Sequence, residues 1–142
     1  MANYHFDKLF SPQEACALIP RLELLIRDLQ SRAGEVRGRI AEVAAHDRDA
    51  HRMELPELIA RYPELRASAV RMAQLTSEIE ALGCFLKDLD LGLVDFPYEI
   101  EEGRVVFLCW QPGEPEIAAW HPVETGFGDR RPLRGAEKRY LN

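Results

Sequence analysis

The chain has 142 residues, an apolar share of 46% and a net charge of −6. This length suits one domain with its own hydrophobic core. The acidic balance argues against a nucleic-acid partner, because such binding needs cations that displace counterions. Cys16, Cys84 and Cys109 show no CxxC spacing, which indicates a reducing compartment. Without signal-peptide features or a long apolar run, we expect a cytoplasmic protein with no membrane partner.

The first predicted element is a helix that begins at "SPQEACALIP". Ser11 and Glu14 have the spacing of a capping box, and Pro20 predicts a kink or a restart because it has no N–H. Beyond Pro20, apolar residues from Leu22 to Val43 recur in steps of three and four. This spacing predicts a long helix with one apolar stripe.

A polar connection with two prolines separates this helix from a second apolar stripe, which runs from Leu65 to Leu89. We predict a second long helix from about Glu64 to Asp90, ended by Gly92. Two such stripes predict a long antiparallel helical hairpin with coiled-coil-like packing.

After Gly92 the apolar pattern changes to a period of two. The segments "LVDFPYEI", "RVVFLCW" and "EIAAWH" predict three strands. The expected fold class is therefore α+β, a long antiparallel helical hairpin followed by a small three-stranded antiparallel sheet. We treat the chain as a single domain that comprises a helical hairpin over 1–91, an antiparallel β-meander over 92–122 and a tail over 123–142.

Two assumed turns give the sheet a register. A two-residue turn at Glu102 and Gly103 places Phe96 opposite Cys109, and a five-residue loop over 111–115 follows the second strand. Cys109 and His121 then share a face but lie about 13 Å apart, too far for one metal ion. Glu102 is strained at this turn position, and a three-residue turn with a bulge would change the pairing.

In this register one face of the sheet is apolar and is expected to pack on the helices. Cys109 falls on that face, which favours a small core residue over a nucleophile, because burial raises the pKa of a thiol. Trp110 and Trp120 fall on the opposite, mixed face. Together with Glu114, His121 and Arg130 they are candidates for a binding surface.

His121 is open to three interpretations: a structural hydrogen bond, a metal ligand or an acid–base group. A ligand site would combine it with Glu114 or Glu124 and an arginine of "GFGDRR". His121 and Glu124 are the candidate metal ligands. No hydrolase, nucleotide-binding, zinc-protease or EF-hand motif occurs in the sequence, so no catalytic residue or cofactor is assigned.

Four separated segments also resemble one protein family. "F-SPQEA", "LKDLDLGLVDFP", "LCWQPGEPEIAAWH" and "GFGDRRPL" together resemble the family called domain of unknown function 2203. The resemblance covers essentially the whole chain and implies a helical region followed by a small sheet. It implies no activity, and it groups these residues in one neighbourhood of the chain: Asp95, Phe96, Pro97, Cys109, Trp110, Gly113, Glu114, Trp120, His121, Gly126, Phe127 and Arg130.

Two functional hypotheses follow from these patterns. The leading one is a noncatalytic interaction or assembly module with a tryptophan-bearing binding surface. The alternative is a metal- or small-ligand-binding protein, with an enzyme as one form of it, whose site surrounds His121. We expect a homodimer, because a twofold partner is the commonest way to cover leftover apolar stripes and sheet edges.

Overall fold

A computed structural model describes residues 6–133. Its α-helices are α1 (Pro12–Ala17), α2 (Ile19–His46), α3 (Leu55–Arg61) and α4 (Arg66–Ala81). Its strands are β1 (Phe85–Asp88), β2 (Leu93–Glu101), β3 (Arg104–Trp110), β4 (Ala119–Pro122) and β5 (Arg131–Pro132). Short 3-10 helices span Arg48–Arg52, Pro63–Leu65 and Phe127–Asp129.

The start of the helical region agrees with the sequence pattern. The backbone N–H of Glu14 donates to Ser11 Oγ at 3.1 Å, and the N–H of Ser11 donates to Glu14 Oε1 at 3.0 Å. These two bonds form the predicted capping box. Pro20 lies in the first turn of α2, after a break at Leu18, so the predicted restart is confirmed.

The second long helix is shorter than predicted. It ends at Ala81 rather than Asp90, and Gly83, with a φ of 96°, follows its end. A left-handed glycine at this place is a common helix stop, and residues 85–88 then form β1. The prediction of a helix up to Asp90 was wrong, because Leu82, Leu86 and Leu89 continue the helical spacing across a turn and a strand.

The predicted helical hairpin is not confirmed in its long form. The helix α4 has 16 residues, and α3 occupies part of the connection. Helices α2 and α4 do contact each other, since Arg71 lies 3.3 Å from Asp28 and Ser68 donates to Glu35 at 3.1 Å.

The sheet has five strands in the order β1-β2-β3-β4-β5, and every neighbouring pair is antiparallel. The α+β class is therefore confirmed, whereas the three-stranded sheet was wrong. The additional strands are the two outer ones. Strand β1 lies within the predicted helix, and the two-residue β5 lies within the predicted tail.

The register between β2 and β3 differs by one residue from the predicted one. Glu101 does lie opposite Arg104, but a bulge between Glu99 and Glu101 then shifts the ladder. Gly103 has a φ of 77°, whereas Glu102 does not adopt a positive φ. A tight two-residue turn of the commonest kind needs positive φ at both central residues. The chain therefore absorbs one residue as a bulge.

The register between β3 and β4 differs by two residues. Cys109 pairs with Ala119, and Phe107 pairs with His121. The connection between these strands is thus longer than the predicted five-residue loop. Because two residues are one full period of a strand, the faces of β4 relative to β3 stay as predicted, and only the distances change.

The main hydrophobic core lies between the helices and one face of the sheet, which we call the inner face. Its buried residues include Leu22, Ile26, Leu29, Leu75 and Ile79 from the helices, and Val94, Phe96, Leu108, Trp110 and Trp120 from the sheet. The side chains that alternate with these strand residues point away from the helices, to the outer face.

The core position of Leu29 can be tested against an exposed leucine of the same helix. Leu29 is 1% exposed, and Leu24 is 69% exposed. Leu29→Ala is expected to lower the free energy of unfolding by about 2–5 kcal/mol, because it leaves a cavity. Leu24→Ala is expected to change it by less than about 0.5 kcal/mol. Urea melts measure both, and equal losses would contradict the placement of α2.

Candidate functional site

The outer face of the sheet carries three polar side chains on neighbouring strands. Asp95 of β2 lies directly opposite Cys109 of β3, and His121 of β4 lies opposite Phe107. Phe107 and Cys109 are two residues apart on one strand, so their side chains share a face. The sheet therefore brings a carboxyl, a thiol and an imidazole together across three adjacent strands.

These three side chains form a compact buried group, which we call the Asp-Cys-His cluster. One ligand atom from each residue lies within 4.8 Å of the others. The exposed fractions are 3% for Asp95, 1% for Cys109 and 2% for His121. Burial of polar groups costs free energy unless they are hydrogen-bonded or bind a metal. The burial of all three side chains therefore needs a physical explanation.

Hydrogen bonds fix the orientation of the His121 ring. Its Nδ1 lies 2.8 Å from the carbonyl oxygen of Pro122, and its Nε2 lies 3.0 Å from Asp95 Oδ2. A carbonyl oxygen only accepts, so Nδ1 carries the proton and donates it. The other nitrogen, Nε2, faces the carboxyl of Asp95.

Burial changes the proton affinity of both acids in the cluster. Desolvation raises the pKa of the Asp95 carboxyl above its usual value, and the nearby His121 and Lys87 act against this rise. Desolvation also raises the pKa of the Cys109 thiol to about 12, and the neighbouring Asp95 carboxylate adds to the rise. A thiol in this state is a poor nucleophile at neutral pH.

A group of aromatic rings on the outer face adjoins the cluster. Phe6 contacts Phe107 with ring centroids 5.4 Å apart and Phe85 at 5.9 Å. The ring of Phe107 lies 5.7 Å from that of His121. The ammonium of the exposed Lys87 lies 4.5 Å from the centroid of Phe107. Phe107 thus joins the cluster to an aromatic group on the outer face, and the exposed Lys87 lies over the Phe107 ring.

A second polar arrangement ties the loops at one end of the sheet to β3. The carboxylate of Glu114 accepts from Arg130 Nη2 at 2.9 Å and from the N–H of Gln111 at 2.7 Å. The carbonyl oxygen of Glu114 accepts from Trp110 Nε1 at 2.9 Å. Arg130 also donates to the carbonyl oxygen of Cys109 at 3.4 Å. Three of the predicted binding residues, Trp110, Glu114 and Arg130, therefore do come together.

The placement of the tryptophans on an exposed face was wrong. Trp110 is 0% exposed and Trp120 is 9% exposed, and both belong to the inner core. The one-residue shift between β2 and β3 is the reason, because it exchanges the faces of β3 relative to β2. Cys109 accordingly lies beside Asp95 rather than beside Phe96. It is buried, as predicted, but on the outer face.

The predicted separation of Cys109 and His121 was also wrong. They share a face, as predicted, yet they belong to one cluster instead of lying about 13 Å apart. Glu124, the other candidate metal ligand, is exposed and is not part of the cluster. Glu114 binds Arg130 and is not part of it either.

Asp95 was not among the predicted site residues, although the family resemblance had grouped it with Cys109 and His121. Its signal was present, because an acid stands between Val94 and Phe96 in the apolar first half of β2. An acid inside a strand that is buried on both faces calls for a partner. Only the register identifies that partner as His121.

The fold and the cluster together define a class of protein: a small α+β domain with helices on one face of an antiparallel sheet and a buried Asp-Cys-His cluster on the other. The chain belongs to the family described as "Uncharacterized conserved protein (DUF2203)", whose model matches residues 8–133. This match confirms the resemblance seen in the sequence. No curated protein matches the chain, and no solved structure matches it.

Within residues 6–133, no helix is both long enough and apolar enough to span a membrane.

Proposed function

We propose that this protein binds a divalent transition-metal ion of the zinc type through Asp95, Cys109 and His121. The observation that carries the proposal is the cluster itself. Its carboxylate oxygen, thiol sulfur and imidazole nitrogen lie within 4.8 Å of one another, and all three residues are buried. The orientation of His121 adds support. Metal-binding histidines commonly donate their other ring N–H to a backbone carbonyl or a carboxylate, as Nδ1 does here to Pro122.

The spacing of the donors suits a tetrahedral ion. Bonds of about 2.0–2.3 Å to nitrogen, oxygen and sulfur separate tetrahedral donors by about 3.3–3.8 Å. His121 Nε2 and Asp95 Oδ2 are 3.0 Å apart, and no pair of ligand atoms exceeds 4.8 Å. A side-chain movement of about 1 Å would bring all three into bonding range.

The donor types favour zinc over magnesium or calcium. Magnesium and calcium take oxygen ligands, whereas a thiolate with an imidazole suits zinc and its neighbours in the first transition row. The charges also match, because the ionised forms of Asp95 and Cys109 offset the two positive charges of the ion. Neutrality matters in a buried place, where an unpaired charge is costly.

The earlier alternative, a ligand-binding protein with a site at His121, thus has more support than the interaction module. The module hypothesis relied on Trp110 and Trp120 as exposed contacts, and both are buried. An assembly role for other surfaces, the homodimer and the cytoplasmic location stay predictions.

Cobalt substitution tests the proposal directly. Chelator-treated protein is expected to bind one equivalent of Co²⁺, with a sulfur-to-cobalt charge-transfer band and the intense visible bands of tetrahedral coordination. Zn²⁺ should displace the cobalt, and elemental analysis of the untreated protein should find a transition metal. Circular dichroism confirms that each variant is folded.

Two cysteine variants show whether Cys109 supplies the sulfur ligand. Cys109→Ser should abolish the charge-transfer band. Cys16→Ser is the matched control, because Cys16 is a free thiol outside the cluster, and it should leave the spectrum unchanged. Failure of the folded native chain to bind Co²⁺, or a band that survives in Cys109→Ser, would overturn the proposal.

A further inference from the structure

We infer that the metal at the Asp-Cys-His cluster keeps one exchangeable coordination position, which takes a small anion held by Lys87. This inference rests on the proposed metal binding and adds the class of ligand. It follows from three properties of the described residues: the number of protein donors, the charge around them and their burial.

The donors among the described residues leave the coordination incomplete. Within residues 6–133, the cluster contains one oxygen, one sulfur and one nitrogen donor and no fourth His, Cys, Asp or Glu. Two further acidic side chains near the cluster have other partners. Glu114, in the loop after β3, binds Arg130, and Asp129, just before β5, binds Arg131 at 3.0 Å. Zinc sites with three protein ligands hold water or an exogenous ligand at the fourth position, whereas purely structural sites are closed by four.

The charge around the cluster favours an anion at that position. A divalent ion with one carboxylate and one thiolate is neutral overall, so nearby side chains decide the sign of the local potential. The ammonium of Lys87 acts electrostatically on Asp95, and no described carboxylate forms an ion pair with it. The other neighbouring cation, Arg130, is neutralised by both oxygens of Glu114. Among the residues that the structure describes here, Lys87 therefore supplies the uncompensated positive charge.

The burial of the cluster limits the anion to a few atoms. The three donors are almost fully buried, and Phe107, which contacts the His121 ring, packs against Phe6 and Phe85. Phe85 and Lys87 are the exposed members of this surface and mark its solvent side. A ligand that enters beside them is hydroxide, a short linear anion or a small carboxylate, and a bulky substrate group is excluded.

Azide is a suitable probe, because it is a small linear anion that changes the visible spectrum when it binds to cobalt. Titration of the cobalt-loaded protein with sodium azide is expected to shift the visible bands with saturation. Lys87→Met should keep the cobalt spectrum and weaken azide binding about tenfold, the effect of removing one favourable charge interaction in a partly desolvated site. Lys8→Met is the matched control, since the ammonium of Lys8 also lies over a phenylalanine ring, that of Phe10 at 4.7 Å.

The outcomes separate this inference from the function on which it rests. An intact cobalt spectrum that azide does not change means a closed site, and it overturns the inference while metal binding stands. Equal azide affinity in Lys87→Met and the native chain overturns the role of Lys87. A chain that never acquires the cobalt bands overturns the proposed function itself. A saturable shift that Lys87→Met weakens and Lys8→Met does not supports the inference.

Discussion

Zinc is expected to raise the free energy of unfolding by about 4 kcal/mol when the free metal exceeds its dissociation constant roughly a thousandfold. The reason is that the cluster exists only in the folded sheet, since Asp95, Cys109 and His121 come from three different strands. For a domain of this size, the gain corresponds to a rise in melting temperature of about 10 °C or more. Thermal melts with zinc and with a chelator measure it.

Substitutions at and near the cluster decide whether this gain comes from the proposed ligands. Asp95→Asn, Cys109→Ser and His121→Gln should each lose most of the zinc-dependent increase. Glu124→Gln should keep it, because Glu124 is exposed and outside the cluster. A loss in Glu124→Gln alone would restore the pairing of His121 with Glu124 that the sequence suggested, and it would remove the case for Asp95 and Cys109.

The helical region shows how far local patterns determine the fold. Ser11, Glu14 and Pro20 act through their immediate neighbours, so the start of α1 and the restart at α2 could be predicted. The end of α4 could not, because its stop depends on the left-handed conformation of Gly83. The apolar residues that continue the helical spacing up to Leu89 lie in a strand and in turns. Spacing alone does not distinguish such a segment from a helix.

The cluster was hidden by two small errors in register. The sequence placed Cys109 and His121 on one face, which the structure confirms, but it assumed too short a connection between β3 and β4. The bulge near Ile100 adds one residue to β2, and this residue turns Asp95 toward Cys109. A register shift of one residue moves side chains to the other face of the sheet, and a shift of two residues changes the distances between side chains on the same face. The site therefore depends on how the strands pair, which the pattern within a single strand does not show.

The burial of Trp110 also could not be predicted from the pattern of a single strand. Trp110 was predicted to lie on the mixed face of the sheet, yet its ring is buried and its Nε1 donates to the carbonyl oxygen of Glu114. That bond satisfies the polar atom of a large aromatic side chain inside a core. The partner is a backbone group in a loop, and the identity of the side chains around it gives no sign of the contact.

Gly92→Ala is expected to be strongly destabilising, by about 2–5 kcal/mol. Gly92 has a φ of 71°, and this left-handed conformation costs a residue with a Cβ about 1–2 kcal/mol. An added Cβ would also lie 2.7 Å from Cγ of Pro112, 2.9 Å from its Cδ and 3.1 Å from Cγ2 of Ile26. Overpacking of this kind costs about 1–3 kcal/mol, because the rigid proline ring cannot move away without shifting its loop.

Gly103→Ala separates the two contributions. Gly103 has a nearly equal φ of 77°, but an added Cβ there meets nothing within 4 Å. It should therefore show only the conformational cost of about 1–2 kcal/mol, and the excess loss in Gly92→Ala measures the clash with Pro112 and Ile26. Urea melts of both variants give the two values. Equal losses would mean that the turn before β2 can move away from Pro112 and Ile26 without a measurable cost. The contact of this turn with α2 and with the loop after β3 would then not fix the start of β2, the strand that carries Asp95.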